Sequence, residues 1–352
     1  MSKEKKEKIN ENIEAIFNLA NERWNRKGTN DPIKASTMKS YKSAISKLIT
    51  EINKEDDNDF DWVFSPDKVI DHISKSSRSD NSKKTIYSYL EIFLRGLSPD
   101  WQGLPELQVY KDEKKRLQDI ITQTAIDNKA KTGMSLTNNQ VANLIEKKDI
   151  EVFLKTLKNQ IKEIHKKDDF TNDDLRIYTI YMLINTWLRI PVRNEIWNLK
   201  LWRVRNVGFE GIKDTLSKDN NYLLITPKQD KGKEAHIIRN VYKTADSKKS
   251  GGTKEYEMKE DLFKMYRKYF KTANIYQNSV FPYFDKYEDG NVEVSRLISQ
   301  AFHKETGKNV ASTLLMKIFF ELSEEGKDVL EYIKWISYMR GTSMDVLGTN
   351  YL

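Results

Sequence analysis

The sequence contains no cysteine. That single absence excludes disulfide staples, zinc–thiolate centres and a cysteine nucleophile. Long apolar runs are missing too, and no stretch approaches the ~20 apolar residues that a membrane-spanning helix needs. The N-terminus, MSKEKKEK, is charged with no apolar core behind it, so it does not read as a secretory signal. The four histidines, His72, His165, His236 and His303, are dispersed without metal-ligand spacing, and His236 reads as a solvated strand histidine or as one that faces the same site as Lys228. Acidic residues are scattered over helical faces and none pairs for acid–base work. There is no internal repeat and no low-complexity tract. These absences predict a protein with no metal, no cofactor and no membrane partner, in an intracellular setting.

What is present is length and charge. At 352 residues the chain is long enough for two domains. Lysine and arginine number 60 against 52 acidic residues, a net charge of +8. That balance fits a polyanionic partner, and equally an ordinary lysine-rich surface.

Hydrophobic periodicity predicts a mainly helical chain. Ile9, Ile13, Ile16, Phe17, Ala20 and Trp24 recur at helical spacing, and Gly28 with the following polar residues ends that N-terminal helix, residues 1–29. Residues 30–108 read as a compact helical domain. The segment Ser65-Pro66-Asp67 opens a short helix in it, and SKKTIYSYLEIFLRGL forms its last one. Arg78, Lys83 and Lys84 gather with three serines at the start of that last helix. The cluster reads either as a phosphate-binding helix N-terminus or as a plain capped polar loop. Residues 109–134 form a charged connecting helix. From residue 135 to 352 the pattern is helical again, except that LWRVRNV, NYLLIT and AHIIRNV read as three short strands. The fold class expected is therefore mainly α with a small antiparallel β-sheet, in a helical domain followed by a larger one.

The ordered series SKKTIYSYL, RNEIWNLKLWRV, the small sheet with its lysine, FHKETGKNVASTLLMKIFF and a terminal tyrosine resembles the tyrosine recombinases and integrases, most closely those of virophages and giant viruses. The resemblance covers roughly residues 30 to 351. It implies a helical core-binding domain that clamps duplex DNA, then a catalytic domain, with self-association on the DNA. In such enzymes a tyrosine hydroxyl attacks a phosphodiester, two arginines hold the non-bridging oxygens, and a hairpin lysine protonates the leaving oxygen. Tyr351 matches the nucleophile, nine residues after Thr342, which stands where the family has a histidine. Lys228 matches the hairpin lysine, with Lys231 and Lys233 competing in the same loop. The first arginine position falls on Val192, three residues before Glu195, with Arg193 adjacent and Arg189 close by. The second falls on Met316, and a further basic position falls on Thr313, with Lys317 next to Met316. Arg340 closes the last helix.

The resemblance thus keeps the lysine and the tyrosine and replaces both arginines. It implies a DNA-binding protein with the recombinase fold, catalytically degenerate, in which Arg78, Lys83, Lys84, Lys231, Lys233, Lys317 and Arg340 meet the DNA. Two alternatives stand beside it. One is an active recombinase using Tyr351, Lys228 and a clamp that includes Arg193. The other is a helical interaction protein without DNA affinity, its tryptophans and Tyr351 serving as packing aromatics.

Overall fold

The computed structural model describes residues 3–23, 33, 35–52, 60–190, 192–227, 232–242, 245, 251–323, 329–342 and 344. The chain divides into two compact units, residues 1–127 and 128–352. No helix among the described residues is long and apolar enough to cross a membrane.

The first unit is helical: α1 (Lys3–Arg23), α2 (Ala35–Ile52), α3 (Pro66–Lys75), α4 (Asp80–Leu97) and the start of α5 (Pro105–Thr132). Each buries one stripe. Ile9, Ile13 and Phe17 of α1 join Ile45 and Leu48 of α2 and Leu90, Phe93 and Leu94 of α4 in one core. Rings lock it: Phe17 stacks on Tyr41 at 4.3 Å and meets Phe93 at 5.3 Å. The Tyr110 hydroxyl donates to the Val63 carbonyl (2.8 Å), which ties α5 to the turn before α3. Pro66 is the first residue of α3, where its missing N–H costs nothing. Ser65 precedes it without a side-chain capping bond. Ser79 caps α4 by accepting from the Ser82 amide.

The second unit carries α6 (Asn138–Ala142), α7 (Lys147–Ile164), α8 (Asn172–Trp187), β1 (Leu199–Arg203), α9 (Phe209–Ile212), β2 (Asn221–Pro227), β3 (Lys233–Arg239), β4 (Lys254–Glu257), α10 (Glu260–Thr272), β5 (Asn278–Ser279), α11 (Gly290–Thr306), α12 (Ser312–Ser323) and α13 (Val329–Arg340). Thr171 and Asp174 form a reciprocal capping box that starts α8. That helix is buried almost all round, down to the Thr186 hydroxyl, which hydrogen-bonds the Tyr266 hydroxyl at 2.8 Å.

The sheet corrects the expected one. It is mixed rather than antiparallel and has five strands in the order β4-β3-β2-β1-β5. β1 runs parallel to β2, from Leu199↔Asn221 to Arg203↔Ile225, while every other pair is antiparallel. The physical reason is the connection. Residues 204–220 make a crossover containing α9, and only a link of about a dozen residues or more can return a strand in the same direction. The inner faces of β2 and β3, with Leu223, Ile225, Ala235 and Ile237, join the main core. Their outer faces, with Tyr222, Leu224 and Ile238, are covered by Phe209 and Leu216 of the crossover. Strands buried on both sides read as continuous apolar runs, which is why NYLLIT and AHIIRNV were legible.

The helix crossing in the first unit generates a test. A Cβ on Gly96 would lie 2.0 Å from the Ile16 carbonyl oxygen, so α1 and α4 meet backbone to backbone there. Gly96→Ala is expected to destabilise the first unit by roughly 1–3 kcal/mol or more. Urea unfolding of the full chain measures it, and a variant with the wild-type midpoint would refute this close crossing.

Candidate functional site

The end of β3 supplies the group around which the site is built. Alternation along the strand puts Ala235, Ile237 and Arg239 on one face, toward the core. Arg239 is only 1% exposed. A buried guanidinium needs partners, and two are present. Its Nη2 donates to Glu195 Oε1 at 2.7 Å, and its Nη1 donates to the Met339 carbonyl of α13. Its plane also lies 4.8 Å from the Tyr242 ring centre. Burial pushes the Arg239 pKa down from the ordinary guanidinium value, and Glu195 pushes it back up. The side chain stays charged.

Glu195 is the carboxylate paired with Arg239 among the described residues, and further cations lie close to that pair. Lys254 of β4 is the direct cross-strand neighbour of Arg239 and is 7% exposed. Burial, and then the Arg239 charge, lower its pKa. Its amine sits 4.4 Å from the Tyr338 ring centre, and no carboxylate pairs with it among the described residues. Arg193 immediately precedes the short helical turn Asn194–Asn198 that carries Glu195, and its charge bears on Arg239. The Arg193 Nε is buried without a hydrogen-bond acceptor among the described residues. Arg340, which is buried, follows directly on the carbonyl that Arg239 binds. The result is a buried cationic cluster in which Arg239 already spends both of its Nη groups on Met339 and Glu195.

The sequence-predicted residues fall into several groups. Arg193 belongs to this cluster, and Arg340 is buried at the end of α13, next in sequence to Met339. Val192 and Met316 are core side chains, and neither could touch an anion. Thr313 is exposed on α12. Thr342 is buried; its amide donates to the Ser337 carbonyl at 3.1 Å and its own carbonyl accepts from the Ser337 hydroxyl. Gly341, at φ 60°, ends α13 in the left-handed region that glycine accepts without strain. Lys233 is exposed at the start of β3. Tyr351, Lys228 and Lys231 lie outside the described residues. Arg189 is paired with Asp261 at 2.8 Å.

The three cations at the start of α4 have protein partners. Arg78 pairs with Glu51 (3.2 Å), Lys83 donates to the Ser74 carbonyl (2.8 Å), and Lys84 donates to Gln118 (2.7 Å). His236 is corrected from solvated to buried. It faces away from Arg239 and stacks on Phe209, with ring centres 3.7 Å apart and planes 7° apart. Among the described residues no cluster of three or more histidine, aspartate and glutamate side chains could hold a metal.

Sequence reasoning missed Arg239 and Lys254. The signal for Arg239 was there: an arginine in register with the core-facing residues of an apolar strand must be buried, and a buried arginine demands an anion. Lys254 had no such signal, because KEYE shows no apolar alternation.

Lys317 serves a different purpose from the one expected. Its amine donates to the Ser135 carbonyl and, at 3.2 Å, to Gln140 Oε1, so it pins α12 to the turn before α6. Burial lowers its pKa from 10.5 to about 8. Below pH 8 the amine is charged in folded and unfolded chains alike, and the full cost of burying it is present. From pH 8 to 10.5 the folded chain sheds the proton while the unfolded chain keeps it, so this group's contribution to stability rises with pH. Lys317→Met removes the titration. The melting temperature of the variant relative to wild type is expected to fall between about pH 7 and about pH 10. A difference independent of pH would show that the amine titrates normally.

Comparison of the chain with protein-family models, curated proteins and solved structures gave no match.

Proposed function

We propose that this chain binds duplex DNA through its backbone phosphates, as a protein of tyrosine-recombinase type whose usual catalytic positions are substituted. The observation that carries the reading is the buried pair Arg239 and Lys254, directly opposed across β3 and β4. Like charges facing each other on adjacent strands repel. Glu195 offsets one of them, and the nearby Arg193 adds a further positive charge. An acceptor-only monoanion such as a phosphodiester supplies the missing negative charge and accepts the donors that remain. The net charge of +8 favours the same partner at longer range.

A fluorescence titration against a duplex of arbitrary sequence, repeated over a salt series, tests this. With six to ten phosphate contacts, affinity is expected to fall by about 10³ to 10⁵ between roughly 50 and 200 mM salt. Arg193→Gln is expected to weaken binding evenly across sequences and to make the log–log salt slope shallower by about 0.9. A wild-type chain that ignores duplex DNA, or binds it independently of salt, would overturn the proposal.

A second reading, an active strand-transferring recombinase, draws on Arg193, which stands next to Val192 and whose Nε has no acceptor among the described residues. In this reading Tyr351 attacks the phosphorus, its hydroxyl proton leaves to solvent, and the 5′-oxygen departs with a proton from Lys228. Losing one such donor costs on the order of 10² to 10³ in rate. The reading requires a covalent protein–DNA adduct on a nicked duplex that disappears in Tyr351→Phe. No adduct with the wild-type chain would discard it and leave the binding proposal standing.

A further inference from the structure

A second contact surface lies in the first unit, where a cavity of about 820 Å³ opens between α1 and α2. Its α2 wall is a row of polar side chains, of which Ser46 and Thr50 already donate within the protein, Thr50 to the Ser46 carbonyl at 2.9 Å. Lys39, Ser43, Ser46 or Lys47, and Thr50 recur once per helical turn, and so rise along one face in steps of about 5.4 Å. The α1 wall carries Asn10 and Glu14. Ser46 donates to Asn10 Oδ1 at 2.8 Å, which leaves the Asn10 amide nitrogen to donate elsewhere. Glu14, the one carboxylate in the lining, is already neutralised by Lys42. Lys39 has no ion-pair partner among the described residues, and Lys47 reaches Glu51 only at 3.7 Å with its side chain 63% exposed.

The groove therefore presents the cations Lys39 and Lys47, and the one carboxylate among its lining residues is already paired. Its complement is a ligand that only accepts and carries repeated negative charge. We infer that the α1–α2 groove holds one backbone strand of the duplex, with Lys39 and Lys47 on two of its phosphates and Ser43 between them. This rests on the DNA-binding reading above and assigns the first-unit contact to a surface other than the start of α4. The α4 cations suit the task poorly, because Arg78, Lys83 and Lys84 would each have to give up a protein partner first. Hydroxyl and amide donors beside lysines are what backbone contacts require, so this groove positions the duplex without reading its sequence.

The experiment compares the full-length wild-type chain with the double variant Lys39→Gln/Lys47→Gln, by fluorescence titration over a salt series. Both lysines are exposed, so circular dichroism is expected to be unchanged. The double variant is expected to lose about tenfold or more in affinity and to flatten the salt slope by about 1.8, two phosphates' worth. Lys83→Gln/Lys84→Gln is expected to keep the wild-type slope. A wild-type slope in the Lys39/Lys47 variant, or a flattened one in the Lys83/Lys84 variant, overturns the assignment while DNA binding itself survives. A wild-type chain that binds no duplex removes the function and this inference together.

Discussion

The architecture of the second unit depends on one guanidinium held out of water. Arg239 joins three separate stretches of chain: the β3 strand that carries it, the turn that carries Glu195, and the last turn of α13 through the Met339 carbonyl. Taking a charge of this kind out of water costs several kcal/mol, and it is tolerated only where geometry and hydrogen bonds are good. The partners are therefore not free to drift. If the carboxylate moved away, the arginine would be left buried and unpaired, a far worse state than either partner exposed. The pair is thus weak as a source of stability and strong as a constraint on which arrangement is allowed.

The first unit is held by a different kind of force. Its core is a set of aliphatic and aromatic side chains, and the charged residues buried beside it are Glu91, paired with Lys114, and Arg95, 4.5 Å from the Trp101 ring centre. Glycine at position 96 lets two helices approach until backbone meets backbone, so dispersion and burial do the work there.

Much of this was legible in the residues. DDLRIYTIYMLINTWL could only be a buried helix, and Phe17, Phe93 and Trp187 could only be core. What escaped reading was whatever depends on a distant partner. β5 is two residues long and exists because β1 offers an unpaired edge. β4 is charged and pairs because β3 is already in place. The parallel pairing of β1 and β2 is a property of the crossover rather than of either strand. The site failed to read for the same reason. A recombinase-like frame directs attention to Val192 and Met316, which are apolar and pack as apolar residues do. The cations that gather around Glu195 come from β3, β4 and the turn before β1, and no spacing rule links those segments.

The crossover has a consequence for how the chain acquires its structure. β2 and β3 are joined locally, whereas β1 must wait for residues 204–220 to fold back, and β5 reaches β1 only after α10 has formed between them. Pairings between distant residues carry a loop-closure cost before they return any stabilisation, so they form slowly. The first unit also has a long-range contact to close, α1 against α4 at Ile16 and Gly96, but all of it lies N-terminal to the sheet. During synthesis from the N-terminus it is expected to be complete before the ribosome has released the strand that carries Arg239. The buried charge is then among the last groups to find its place, and until Glu195 and α13 close around it that end of the sheet stays wet.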